Sequence, residues 1–457
     1  MGGQVHHVPQ SSFASIRGYV PLQDNTKPMR YAKGAFITLL ARGLTIPIGI
    51  ASAIVTARTL GPDGRGVLAA IMVLQGLAIQ FGTLGFNGST MYFLSHKDKE
   101  PRVVVSSSFV AALVFGSLVA LAMGALYVLA PQKLFGSLDR LYIGLLLASL
   151  PLTFVAQFLQ NVLVARDALI SYNVIDLALR TFQLLGFVVA LVLLSGGTST
   201  AIVILLGISA AGGVVYAATV RRSIPFGFHV ELRLFRQMLQ YGMRTYLASM
   251  LSFLLIRLNM LLISPTLGDH AAGLFSVNLQ FLDLAAILPT TLGVILFPRV
   301  ARNEQDAGDL TAKVFRFTVA SVGLFCLTLA LAAKPILVLM FGEPFAESSR
   351  ALQLLTPGIF ALALVSILNN DLAGRGLPRS VLWALVAGVA SSSAIQFTFL
   401  GTFGIEAASV GTSTGALVTA GVLLIIVRKY WKAPWRQLWI LSLADLRTLS
   451  PRNLLSH

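Results

Sequence analysis

Twelve apolar runs, each divided from the next by a short polar stretch, decide what this chain can become. They fall near residues 34–57, 67–95, 105–130, 141–164, 170–194, 199–220, 239–264, 271–298, 317–333, 351–370, 380–401 and 404–427. About 17–25 mostly apolar residues are needed for a helix to cross a bilayer, and the runs reach that length. In hydrocarbon the backbone must satisfy its own polar groups, so continuous apolar runs of this length span as helices. The expectation is an all-α polytopic membrane protein of about twelve transmembrane helices. The balance of residues agrees, with 56% hydrophobic and 11% charged, against about 25% charged in soluble domains.

The net charge of +16 points away from nucleic acid once the positions of the charges are considered. They sit in short connections, with no basic domain and no interleaved aromatic platform. The N-terminal tail, the C-terminal tail and every second connection together hold 24 of the 34 lysines and arginines. The intervening connections hold 6, and the remaining four, Arg42, Arg180, Arg244 and Arg257, lie inside runs. The positive-inside rule then places both termini in the cytoplasm.

The opposite connections are short, the longest running from Lys334 to Arg350. They offer no outer domain in which to do chemistry. Cys326 is the one cysteine, which removes intrachain disulfides and cysteine metal sites. No Gly-rich phosphate loop, H-E-x-x-H or nucleophile elbow is present, and the histidines form no site. No cofactor, no metal and no enzymatic activity are expected. Residues 1–33 lack the pattern of a signal peptide and read as a cytoplasmic tail. Residues 429–457, with Trp431, Trp435 and Trp439 four apart, read as an amphipathic tail on the inner surface. Residues 223–238 read as an interfacial linker.

An internal repeat divides the runs into two sets of six. Thr59-Leu60-Gly61 recurs as Thr266-Leu267-Gly268, an offset of 207, and Gly66 recurs at that offset as Gly273. Six spans per half is even, so both halves enter from the same side. The repeat is parallel, with its axis along the membrane normal. The expected units are 34–222 and 239–428, two six-helix lobes facing each other across a cavity.

The first run carries a charge. An arginine at membrane depth costs about 2.5–3.5 kcal/mol on insertion scales, so Arg42 is not expected to face lipid. On a helical wheel Thr38, Arg42, Thr45, Ser52 and Thr56 lie within roughly 40° of one line. At the 207 offset Thr38, Thr45 and Ser52 map onto Thr245, Ser252 and Asn259, and Arg42 maps onto Ser249. The polar stripe recurs in both halves and the cation in the first alone. The expected substrate-facing set is Arg42, Thr38, Thr45, Ser52, Ser249, Ser252 and Asn259, with Arg257 as a further cation. Snorkelling of Arg42 to the near interface is the alternative. Arg257 is also placed to pair with Asp283 on the next span. Asp176 and Arg180, four apart, read first as an internal ion pair. Asp283, Asp176 and Arg180 are therefore candidates either for ion coupling or for structural pairs.

The first turn reads Ala57-Arg58-Thr59-Leu60-Gly61-Pro62-Asp63-Gly64-Arg65-Gly66. It resembles the opening of polysaccharide-biosynthesis membrane proteins. These are flippases for lipid-linked oligosaccharides within the multidrug/oligosaccharidyl-lipid/polysaccharide exporter superfamily. Phe297-Pro298-Arg299, Gly374-Arg375-Gly376-Leu377-Pro378 and Phe403-Gly404-Ile405-Glu406-Ala407-Ala408 fit the same resemblance, which covers about residues 30–430. It implies a MATE-like two-lobed bundle that moves an isoprenoid-diphosphate-linked glycan across the inner membrane. It also implies a cationic cavity, contact with membrane lipid, and polysaccharide polymerase or export machinery as partners. A cation-coupled multidrug exporter of the same superfamily and an integral-membrane glycan polymerase are the alternatives.

Overall fold

The computed structural model describes residues 28–428, apart from 96–99, 132–134, 137, 302–306 and 376. Within its helices the side chains of 28–42, 244–245, 294–295, 297–299, 301, 307–309 and 378 also lie outside that description. Of the tail expected at 1–33, residues 1–27 fall outside the described residues and 28–33 already belong to the first helix, while the tail expected at 429–457 falls wholly outside them.

The described residues form helices α1 (Pro28–Gly82), α2 (Phe86–Ser95), α3 (Pro101–Leu129), α4 (Arg140–Ala165) and α5 (Leu169–Phe187). α5 runs into a π-helical turn at Val188–Leu193. Then follow α6 (Thr198–Ser223), α7 (Leu232–Ala301) and α8 (Ala307–Phe341). A 3₁₀ turn at Glu343–Ser348 leads to α9 (Ser349–Gly374) and α10 (Pro378–Val427). Among the described residues, nine helices are long and apolar enough to cross a membrane.

The longest helices are broken by glycine. Gly61 in α1 (φ 65°, ψ −176°) and Gly268 in α7 (φ 84°, ψ −179°) adopt nearly the same backbone. Gly404 breaks α10 at φ 59°, ψ −139°. A Cβ makes this region costly, so glycine is the residue that turns the chain here. After Gly61, Pro62 restarts the helix with a φ already set for its first position.

Several boundaries differ from the sequence expectation. The run 67–95 is divided by a turn at Thr83–Gly85, with Leu84 at φ 46° and Gly85 at φ 72°. The connection expected from Lys334 onward is helical as far as Phe341. Pro335 removes one N–H and breaks the geometry just before it, at Ala332 (φ −119°, ψ 26°). The apolar segment Ile336–Phe341 then resumes the helix. The expected linker 223–238 is shorter too, because α7 is already helical from Leu232.

Three buried apolar clusters hold the bundle. One gathers residues from Leu68 to Met238 and includes Ile224, Phe226 and Leu234. Within it Phe86 stacks on Phe158 at 5.6 Å and meets Phe115 edge-on at 5.8 Å. Phe235 packs tilted on Phe86 at 5.5 Å, which fastens the start of α7 to α2. The second cluster joins Ala53, Ala57 and Ala69 of α1 to residues between Met260 and Ala408. The third runs from Leu251 to Val427. Buried polar side chains act as interhelical glue, as in the Thr90–Ser108 hydroxyl pair at 2.9 Å.

Candidate functional site at the α1–α7 interface

The two glycine-broken helices face each other, and at one end they meet at positions 207 residues apart. At the end that carries Gly61 and Gly268, the turn end, Gly66 lies against Gly273. A Cβ on Gly66 would fall 1.7 Å from the carbonyl oxygen of Asp269. One on Gly273 would fall 1.8 Å from the carbonyl oxygen of Pro62. The contact is therefore backbone to backbone, and glycine is required on both sides. Gly66 and Gly273 are the two positions related by the 207 offset.

Side chains close the same end. Asp63 Oδ1 is 3.3 Å from His270 Nδ1, and His270 Nε2 is 3.7 Å from Glu347 Oε2. Asp63 and His270 are also 207 apart. Arg58 donates through Nε to the carbonyl of Met340 at 3.0 Å and through Nη2 to that of Leu339. It thereby caps the C-terminal carbonyls of α8, where a cation is favourable. Arg65 is buried and donates from Nη1 to Thr56 Oγ1 at 2.9 Å, while its Nε is buried without a hydrogen-bond partner.

The opposite end, the linker end, is closed by different pairs. It lies about 28 Å along the helix from Gly66, on the order of a bilayer core. A Cβ on Gly85 would meet the carbonyl oxygen of Gly242 at 2.2 Å. The Tyr246 hydroxyl donates to the Phe81 carbonyl at 2.9 Å, and Gln80 Nε2 donates to Ser249 Oγ at 3.3 Å. Tyr92 stacks on Tyr241 at 4.3 Å. Between the two ends a void of about 10 Å³ is lined by Ala70, Val73, Leu74, Met260 and Leu261 among others.

The side chains of Thr38 and Arg42 lie outside the described residues. Thr45 and Ser52 are half-buried, and the Ser52 carbonyl accepts from Thr56 Oγ1 at 2.8 Å. Ser249 reaches α1 through Gln80, whereas Ser252 donates to its own helix at the Ala248 carbonyl, 2.9 Å away. Asn259 turns elsewhere: it is buried and donates from Nδ2 to Thr412 Oγ1 on α10 at 3.0 Å. The second-half stripe is thus divided between the α1 interface and a helix–helix bond.

Both expected ion pairs are formed. Arg257 Nη2 donates to Asp283 Oδ1 at 2.7 Å and to Oδ2 at 2.9 Å. Arg180 Nε donates to Asp176 Oδ2 at 3.0 Å. Arg257 is 26% exposed and Arg180 53%, so these pairs stand at the margin of the packed interior.

Three features escaped the sequence reading. The Asp63–His270 pair shares the repeat offset and was detectable by reading the alignment between the paired glycines. Arg58 carries no signal for its partner, because main-chain carbonyls have no sequence. Asp371 is fully buried, accepts from Arg375 Nε at 2.8 Å and from Thr311 Oγ1 at 2.9 Å. Its four-residue spacing to Arg375 matches that of Asp176 to Arg180.

Nine apolar helices among the described residues, two of them broken alike by glycine and meeting at repeat-equivalent positions, define a multi-pass, helical membrane protein. The chain belongs to the polysaccharide biosynthesis protein family, whose sequence profile matches residues 55–350. That agrees with the resemblance carried by the turn at 57–66. No curated protein matches it in sequence. Among solved structures, a lipid II flippase, MurJ, in an inward closed conformation superposes with a TM-score of 0.74 at 14% identity, covering 91% of each chain. An inward-facing multidrug resistance MATE family transporter of the MOP superfamily gives 0.63 at 17% identity, over 89% of this chain and 96% of that one. A MOP superfamily transporter from Pyrococcus furiosus gives 0.61 at 15% identity, over 86% and 94%. At these identities the likeness is one of fold.

Proposed function

We propose that this protein is a flippase that carries an isoprenoid-diphosphate-linked oligosaccharide across a bacterial inner membrane for surface or exopolysaccharide synthesis. Twelve spans form two six-helix lobes, 34–222 and 239–428, related by an axis along the membrane normal, with both termini cytoplasmic. The lobes rock between inward-open and outward-open states, and the turn end faces outward. The diphosphate-sugar headgroup crosses between the lobes, and Arg42 compensates its charge. The observation that carries this reading is the meeting of Gly66 with Gly273, and of Asp63 with His270, across the α1–α7 interface. Contacts between equivalent positions are what an axis between duplicated halves produces. Membership of a polysaccharide biosynthesis family supports the glycan, and the likeness to a lipid II flippase supports a lipid-borne substrate.

The test is export. Arg42→Ala is expected to abolish surface polysaccharide at normal membrane levels of the protein. Arg42→Lys is expected to restore part of it, because Lys keeps the charge and loses the fork geometry. Normal export by Arg42→Ala would remove Arg42 from the mechanism. Reconstituted vesicles holding a defined isoprenoid-diphosphate sugar test the substrate directly. A second reading, a cation-coupled multidrug exporter, is favoured by the likeness to a multidrug MATE transporter. Efflux of a cationic dye by the reconstituted protein would support it.

A further inference from the structure

We propose that Arg180 is a second cation for the anionic headgroup, set in a wet gap on the packed face of α5 and held there by Asp176. This rests on the flippase reading above and gives its substrate a further contact. On a helical wheel Val174, Phe182 and Leu185 fall within an arc of about 80°. They are 59%, 62% and 51% exposed and form the lipid-side face. Asp176 and Arg180 lie on the opposite side, roughly 160–200° from the centre of that arc. Asn173 and Phe187 share that side and are buried. Arg180 is nonetheless 53% exposed and Asp176 29%. The packed face of α5 therefore opens between Asn173 and Phe187.

Arg180 stands about 16 Å along the helix from Leu169, roughly half of a bilayer core. A charge at that depth is costly in hydrocarbon, so the exposed guanidinium faces water. α1 packs along α5, and its polar stripe opens as well. Gly49, which falls on the line of Arg42, Thr45 and Ser52, is exposed, and a Cβ there would meet nothing within 4 Å. Tyr216 of α6 lies within electrostatic reach of Asp176 and Arg180.

The ion pair leaves Arg180 able to bind a ligand. Nε donates to Asp176 Oδ2 at 3.0 Å. Among the described residues neither Nη group has an acceptor. A guanidinium fixed through Nε presents its Nη groups as a fork, which suits two oxygens of one phosphate. A diphosphate that joins a lipid to a sugar carries an ionised oxygen on each phosphorus. Arg42 matches one of these charges and Arg180 the other. Asp176 is a positioning residue: it orients the guanidinium and keeps the pair near neutral while the gap is empty, so the arginine is tolerated at this depth without a ligand.

The test is binding by the full chain in lipid nanodiscs, titrated with farnesyl diphosphate and with farnesol as the uncharged control. Arg180→Gln is expected to weaken diphosphate binding about tenfold, and Arg180→Lys to restore part of it. Asp176→Asn keeps an oxygen for Nε and removes a negative charge, so it is expected to tighten binding about threefold. A pair that only braces α5 would act alike in Arg180→Gln and Asp176→Asn, lowering the unfolding midpoint and leaving affinity unchanged. That result, or equal weakening by both, would overturn the proposal. If Arg180→Gln fails to fold, the sign of the change in Asp176→Asn decides, and unchanged or weaker binding overturns it. Diphosphate binding that falls in Arg42→Ala and is untouched by Arg180→Gln would remove Arg180 alone. A wild-type chain that binds farnesyl diphosphate no better than farnesol would count against the flippase reading, and with it this site.

Discussion

The two ends of the α1–α7 interface are closed by contacts of different kinds. At the turn end, positions 207 residues apart touch each other: Gly66 meets the Gly273 segment, and Asp63 meets His270. At the linker end the partners are unrelated by the repeat: Gly85 meets Gly242, Gln80 meets Ser249, and Tyr92 meets Tyr241. An axis between halves brings equivalent residues together only where it passes between them. The turn end therefore joins positions related by the sequence repeat, while the linker end is built from side chains that the repeat does not relate.

The sharpest way to break this contrast is to add one methyl group to the turn end. Gly66→Ala or Gly273→Ala places a Cβ within 2 Å of a main-chain oxygen, and backbone on the far side cannot rotate away. A loss of about 2–3 kcal/mol is expected, read as a lowered unfolding midpoint in detergent. A midpoint unchanged by Gly66→Ala would show that the two helices stand further apart. Gly61→Ala and Gly268→Ala separate strain from contact, because a Cβ at either meets nothing within 4 Å. Their positive φ alone is expected to cost about 1–2 kcal/mol each. A cost equal to that of Gly66→Ala would make the turn conformation, and not the close approach, the common cause.

At the linker end the effects should be smaller and spread over several side chains. Tyr246→Phe removes the hydroxyl that donates to the Phe81 carbonyl, with an expected loss of about 1 kcal/mol in the same assay. Asp283→Asn leaves Arg257 with a neutral partner at a half-exposed site. Under about 1 kcal/mol of stability is at stake there. If that substitution leaves stability intact yet stops export, the pair participates in transport and is more than a brace.

Much of the helical layout was legible, because apolar runs of membrane length have few other fates. The exceptions have local causes. Lys334 and Pro335 look like a connection, but the apolar residues after them restore the helix once Ala332 has absorbed the break. The run 67–95 contains Gly85, and nothing in the run reveals that Gly242 will press against it. At the candidate site, pairs set by spacing or by facing helices were readable: Asp176 with Arg180, and Arg257 with Asp283. The polar stripe gave a direction and not a neighbour. Ser249 and Asn259 share a line on the wheel, yet one reaches α1 and the other α10. Asp371 escaped because a buried carboxylate is recognised by what surrounds it.

The Phe86 cluster bears on how the chain can be divided. Leu234 and Met238 belong to the same buried cluster as Leu68 and Phe158, and Phe235 packs on Phe86. The same unbroken stretch of helix carries on to Leu251 and Leu255 in another core. The first turns of α7 are thus continuous with the helix that enters the Leu251 core and packed into the cluster around Phe86. Co-expressed fragments cut before Leu232 would strip the N-terminal piece of side chains that fill its interior, and reassembly would depend on the other fragment returning them.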